Sequence, residues 1–294
     1  MARVYYVDTA IPSDRKKRKK HKTHAVFDGV GVFRVKKLTE LEDASEIYID
    51  ALFSELYGEI LELLKRGVRV YLLRDATKLK KLRMENNLKK SDENDAALLA
   101  RIPKEKFRTL TAEELELKMK MRPLINEYEK ITRWRKTLKK LLKDGFDYNF
   151  KEVIRLMEAS RWRISKEIIE QVVASPIYGE VYKKACKMLG VRKSTELAIL
   201  VIELPLYLPL VKLKGLLGLI PGKNKGRYHH KLRGHIAALA VNLYTHAKRG
   251  VSNEAAKVVN HLPLRQGVFK LELIILKILR IAYLMTAKPL ADEQ

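Results

Sequence analysis

The stretch EIYIDALFSELYGEILELLKRGVRVYLL, residues 46–73, decides the fold. Glu46 to Ile49 is a short apolar run and reads as a strand. Leu52, Leu56, Ile60, Leu63 and Leu64 then recur at helical spacing until Gly67 supplies a stop, and Val68 to Leu73 reads as a second strand. Working outward, Arg3 to Val7 reads as a buried strand. Ala25-Val26-Phe27 and Val30 to Val35 flank Asp28-Gly29, a pair suited to a tight hairpin turn. On the other side, Ala96 to Ile102 continues a helix begun near Asp92, where Ser91 or Asp92 can cap the free amides. A three-strand meander followed by strand, helix, strand and helix predicts an α/β layer with a mixed sheet.

Four aspartates fall at telling points of that pattern. Asp8 ends the run Val4 to Val7, Asp50 ends Ile47 to Ile49, and Asp92 with Asp95 opens a helix. An RNase H-like arrangement of these elements brings all four together. Gathered carboxylates can hold Mg²⁺ or Mn²⁺, and two such ions about 4 Å apart clamp the attacking and leaving oxygens of a phosphodiester. Taken singly, each aspartate would be an ordinary strand-end or helix-cap residue, since Asp is common at both.

The charge balance agrees with a nucleic-acid substrate. A formal charge of +25 on 294 residues exceeds anything folding needs, and a polyanion such as DNA or RNA neutralises it. Between the first two strands lies the basic run Arg15, Lys16, Lys17, Arg18, Lys19, Lys20, His21, Lys22, an arm for gripping phosphates. Apolar content of 47% excludes disorder as the main state. The apolar run Ala198 to Leu210 holds Glu203, Pro205 and Pro209 and falls short of the ~20 residues that span a bilayer, so no membrane partner is expected. A single cysteine, Cys186, precludes an intramolecular disulfide, and the reading is a cytoplasmic, nucleoid-associated protein. His24, His246 and His261 lack zinc spacing.

From Leu117 the apolar period changes. Leu117, Met121, Leu124, Tyr128, Ile131, Leu138 and Leu142 form a heptad seam, with Arg135 at one position. The seam either packs on the segment Phe150 to Val173 as an antiparallel arm, pairs with a second chain, or is the ordinary core-facing side of a bundle helix. Trp134 and Trp162 are expected to pack in the core. Further on, Val181 to Leu189 and Glu196 to Glu203 read as helices joined by a short hairpin that includes Lys193. Pro221 to Gly234 is a basic loop carrying Lys223, Lys225, Arg227, Tyr228, His229, His230, Lys231 and Arg233. The lysines and arginines named here are the candidate phosphate contacts, each releasing a counterion on binding. His235 to His246 and Leu271 to Met285 read as the last helices.

With both ends in view, the chain resembles the DEDD transposases or recombinases of the insertion-sequence 110 family over nearly its whole length. Tyr6-Val7-Asp8, Asp50, and the stretch Lys90 to Ala100 with Asp92, Asp95 and Ala96 are similar to that family's acidic positions and its Asp-x-x-Asp-Ala-x-x-Leu-Ala signature. Leu189-Gly190-Val191, Thr195 to Ala198, Leu217 to Gly222 and Leu232 to Ile236 are similar to its helix-hairpin-helix and Gly-Leu-x-Pro segments. The resemblance implies a RuvC-like nuclease domain over residues 1–108, a coiled-coil region over 109–175 and a helical transposase domain over 176–294. It also implies a Mg²⁺ site made by Asp8, Asp50, Asp92 and Asp95, a structured guide RNA, and a homodimer or homotetramer sharing active sites between subunits. Asp75, which also follows a strand, has no acidic counterpart in the family and is read as a turn residue.

Two departures stand out. The second acid, usually Glu in the family, is Asp50 here. The family's nucleophilic serine has no counterpart, because Pro221 to Arg233 contains no serine. Tyr228 is the only hydroxyl side chain in that loop and becomes the candidate nucleophile, with His229, His230, Arg227 and Arg233 beside it in sequence. Stacking on a base or packing on the helix is the competing role for its ring. Three functions follow: a Mg²⁺-dependent, RNA-guided DNA transposase or recombinase; a structure-selective RuvC-like nuclease; or a domesticated nucleic-acid-binding protein without strand transfer.

Overall fold

The computed structural model describes residues 3–11, 23–146, 149–222, 228–250, 259 and 261–287. The chain divides into two compact units, Met1–Met119 and Lys120–Gln294. The basic run at residues 15–22, together with Lys223, Lys225 and Arg227, lies outside the described residues.

The first unit is a six-stranded mixed sheet with helices on it. In chain order its elements are β1 (Arg3–Asp8), β2 (His24–Phe27), β3 (Val32–Val35), β4 (Ala44–Ile49), α1 (Tyr57–Lys65), β5 (Arg69–Leu73), α2 (Thr77–Glu85), α3 (Asp92–Leu99) and β6 (Phe107–Thr109). Across the sheet the order is β3-β2-β1-β4-β5-β6. β1, β4 and β5 run parallel, and β2, β3 and β6 pair antiparallel with their neighbours. The central strand β4 is buried at Ile47, Tyr48 and Ile49 because both sheet faces are covered. Ile47 and Ile49 join Val7, Val70, Ile60 and Leu63 in one apolar cluster, whereas Tyr48 joins Leu79, Leu98, Leu99 and Phe107 in another. Period-2 alternation therefore sends one set toward α1 and the other toward α2 and α3. On the second face Tyr6, Tyr48 and Tyr71 stand in register on adjacent strands and stack with centroids 5.1 and 4.7 Å apart.

The mixed α/β character and the strands up to Leu73 match the sequence reading; details around them differ. The hairpin link is longer than a two-residue turn. Asp28 accepts from the amides of Val30 and Gly31 at 2.9 and 2.8 Å, Gly29 takes φ 97°, and β3 begins only at Val32. α2 and β6 are additional to the elements that the sequence pattern predicts. α2 is a strongly basic segment with a single buried residue, Leu79, and β6 has three residues, so neither carries a clear period.

The second unit is helical. It contains the later part of α4 (Ala112–Lys143), then α5 (Phe150–Ala174), α6 (Pro176–Leu189), α7 (Thr195–Glu203), α8 (Leu210–Leu216), α9 (His230–Lys248) and α10 (Leu264–Ala287). Ser175 caps α6, whose first residue is Pro176, and Ser194 caps α7. α7 forms the centre of the core, with every residue from Leu197 to Ile202 buried. Met121, Tyr128 and Ile131 of the heptad seam are buried as well. Arg135 and Lys139 of α4 both reach Glu158 of α5, and Arg161 of α5 reaches back to Thr132 and Tyr128, so the two helices run antiparallel. Trp134 and Trp162, expected in the core, are instead 54% and 66% exposed. Trp134 is off the seam set by Ile131 and Arg135, and Trp162 neighbours Arg161, whose side chain takes the inward position against Tyr128. No helix among the described residues is long and apolar enough to cross a membrane.

Candidate carboxylate cluster

Parallel pairing of β1 with β4, Val7 opposite Ile49, puts the C-terminal ends of both strands at one sheet edge. Asp8 and Asp50 are therefore neighbours by topology. The Asp50 amide donates to the Val7 carbonyl at 3.3 Å. The Asp50 carboxylate is fixed by Thr9, whose amide and hydroxyl each donate to Oδ1 at 2.8 Å. α3 packs on β1 and β2 with its first turn toward the same edge, and Ser91 caps it by accepting from the Asn94 amide at 3.1 Å. This supplies Asp92, which is exposed, and Asp95, which is 5% exposed.

The electrostatics show that these groups share one field. Burial, then the charge of Asp50 and a hydrogen bond with it, then Asp95 and Asp92, push the Asp8 carboxyl up to about 8 from an ordinary 3.8. Asp95 is raised by burial against the opposing pull of Arg83. Each helix acid also faces an arginine. Arg83 Nε of α2 lies 3.0 Å from Asp95 Oδ1, and Arg34 of β3 lies 3.5 Å from Asp92 and contacts Glu93. Among the described residues, no group of three or more His, Cys, Asp or Glu side chains is placed to hold a metal ion as it stands. The donor set nonetheless suits a hard cation. It is all carboxylate oxygen and Asp8 is crowded by three like charges, whereas Asp95 Oδ1 already faces the Arg83 guanidinium.

Sequence reading missed the groups around the acids: Thr9, Arg34, Arg83 and His24. Burial holds the His24 imidazole below its usual range, and its Nδ1 accepts from the Ala10 amide at 3.0 Å, pinning the chain just after Asp8. No local pattern announces any of these residues, since each partner lies on another element.

In the second unit, the Tyr228 ring packs over Gly218 and lies 4.2 Å from the His230 ring. His229 is used as the cap of α9, accepting from the Leu232 amide at 3.3 Å. Lys231 pairs with Glu129 at 2.7 Å, and Arg233 pairs with the buried Glu272 at 2.8 Å. Lys193 is exposed just before the α7 cap. Gly218 takes φ +64°, and an added Cβ would sit 2.8 Å from the Tyr228 ring. Gly218→Ala is therefore expected to cost roughly 2 kcal/mol through strain and collision. A urea midpoint unchanged from wild type would show that the ring packs elsewhere.

The first unit is thus a mixed α/β layer in which Asp8 and Asp50 end neighbouring parallel strands and Asp92 and Asp95 lie in the first turn of α3. The sequence matches no protein-family model, and no curated protein matches it at a significant level.

Proposed function

We propose that the chain is a Mg²⁺-dependent (or Mn²⁺-dependent) enzyme of DNA strand cleavage and transfer, a transposase or recombinase similar to the DEDD enzymes of the insertion-sequence 110 family. The observation that carries this is geometric: Asp8 and Asp50, remote in sequence, end neighbouring parallel strands, and α3, packed on β1, brings Asp92 and Asp95 near enough to add to burial in raising the Asp8 carboxyl. The strand order supports an RNase H-like, RuvC-like reading of the first unit: antiparallel β3 and β2 lead into parallel β1, β4 and β5, with acids at the ends of β1 and β4. Bound Mg²⁺ would neutralise charge on the scissile phosphate and lower the pKa of an attacking water. Asp8 and Asp50, the latter fixed by Thr9, form the strand-end pair of the site, and α3 supplies the other two acids. The formal charge of +25 supports DNA as substrate and a structured RNA as guide, and the resemblance extends to a homodimeric or homotetrameric assembly.

The serine-free stretch from Pro221 to Arg233 favours a second reading, a structure-selective RuvC-like nuclease in which only the acids do chemistry. Incubating the purified protein with branched and linear DNA, in Mg²⁺ or in EDTA, separates the two. Metal-dependent cutting with protein-linked ends is the expected result for the recombinase, and lost linkage in Tyr228→Phe would make that tyrosine the nucleophile. Metal-dependent free ends alone would leave the nuclease. DNA binding without cutting in Mg²⁺ or Mn²⁺ would contradict both and leave the non-catalytic binding protein.

A further inference from the structure

The charges around the cluster are not evenly distributed. Asp8 and Asp50 end neighbouring parallel strands, and Asp50 is held by the Thr9 amide and hydroxyl. The helix acids differ. Asp95 faces Arg83, and both side chains are largely withdrawn from solvent, 8% and 16% exposed. Arg83 Nε and Asp95 Oδ1 are 3.0 Å apart, yet neither atom has a hydrogen bond of good geometry, so the pair is held by charge and packing more than by directed bonding. Arg83 is placed by α2, which packs directly on α3, so the guanidinium is carried by the scaffold and not by a loop.

We infer that Arg83 is a resident cation of the site: it serves the Asp95 side of the cluster, and the strand-end pair Asp8 and Asp50 takes a single divalent ion. This rests on the carboxylate-cluster reading above and changes its stoichiometry, from the two ions that four acids suggest to one ion plus a fixed guanidinium. The physical reason is exclusion. A guanidinium cannot deprotonate at any working pH, and a second divalent ion within a few ångströms of it would meet both its bulk and its charge. Arg83 is a positioning residue in this scheme, acting through Asp95.

Mn²⁺ titration of the EDTA-stripped full-length protein, with free Mn²⁺ followed by electron paramagnetic resonance, tests it. Wild type is expected to bind one Mn²⁺ per chain, Arg83→Lys also one, and Arg83→Gln two, because Asp95 is then released as a ligand. The double variant Arg83→Gln with Asp95→Asn removes both charges together and is expected to return to one ion with wild-type affinity within about threefold. It keeps the test open where the single variant does not fold. Two ions on wild type, one ion on a folded Arg83→Gln, or a loss of affinity of tenfold or more in the double variant would each overturn the role of Arg83. No Mn²⁺ on wild type at all would instead remove the cation site itself, and Arg83's role with it.

Discussion

Asp8→Asn is expected to abolish metal-dependent cleavage while stabilising the EDTA-stripped protein at alkaline pH. The folded protein holds the Asp8 carboxyl up at about 8 through burial and the Asp50 charge, whereas the unfolded chain gives up that proton near its ordinary 3.8. Between those values the native state binds more protons than the unfolded one. The group's favourable share of stability is therefore complete below about pH 4 and is lost as pH rises through about 8. Asparagine carries no such proton. The variant's advantage should be small at pH 5 and grow to on the order of 2 kcal/mol at pH 8.5, allowing for screening at a half-buried site. That corresponds to roughly 5 °C in melting temperature. Loss of a ligand should meanwhile slow Mg²⁺-dependent cutting by about a thousandfold, on the order of 4 kcal/mol in the barrier. A melting curve lowered equally at both pH values would mean that Asp8 is a packing residue.

Arg233→Met is expected to be the costliest single change in the second unit. Glu272 is 2% exposed, Arg233 is its ion-pair partner at 2.8 Å, and burial, opposed by that arginine, pushes its carboxyl up to about 6. Removing the guanidinium strands a buried charge and should cost about 3 kcal/mol at pH 8. The penalty should shrink below about pH 5, where Glu272 can take a proton. A raised folded value means that this group's own contribution is present at low pH and lost as pH climbs through about 6. Urea denaturation at pH 5 and pH 8 reads the difference, and a double variant with Glu272→Gln should recover most of it. Unchanged stability, coupled with a reduced salt dependence of DNA binding, would return Arg233 to the role of a phosphate contact.

What the sequence discloses and what it conceals follow from the range of the interactions. β1, β4 and β5 and helix α1 are legible because apolar period and turn residues act locally. The acids are legible because aspartate closes a strand or opens a helix at each of the four points. That Asp8 and Asp50 meet follows from parallel pairing of β1 with β4, which the order of elements already suggests. Arg83 is different: its helix carries one buried leucine and no usable period, and its partner lies on another element. Lys231 and Arg233 look like free phosphate grips in sequence, because nothing local reveals Glu129 and Glu272 waiting on other helices. Trp134 and Trp162 mislead for a related reason. Size argues for burial, but each sits beside the seam, and Ile131, Arg135 and Arg161 take the inward positions.

Proton release on Mg²⁺ binding tests the carboxylate site most directly. Calorimetric titration at pH 7 in buffers of differing ionisation enthalpy should show close to one proton leaving per ion bound, since Asp8 holds its proton up to about pH 8 and must surrender it to become a ligand. Asp8→Asn should bind Mg²⁺ at least tenfold more weakly and release none. Saturable Mg²⁺ binding with no proton released, or with the same release in Asp8→Asn, would contradict a cation site built on Asp8.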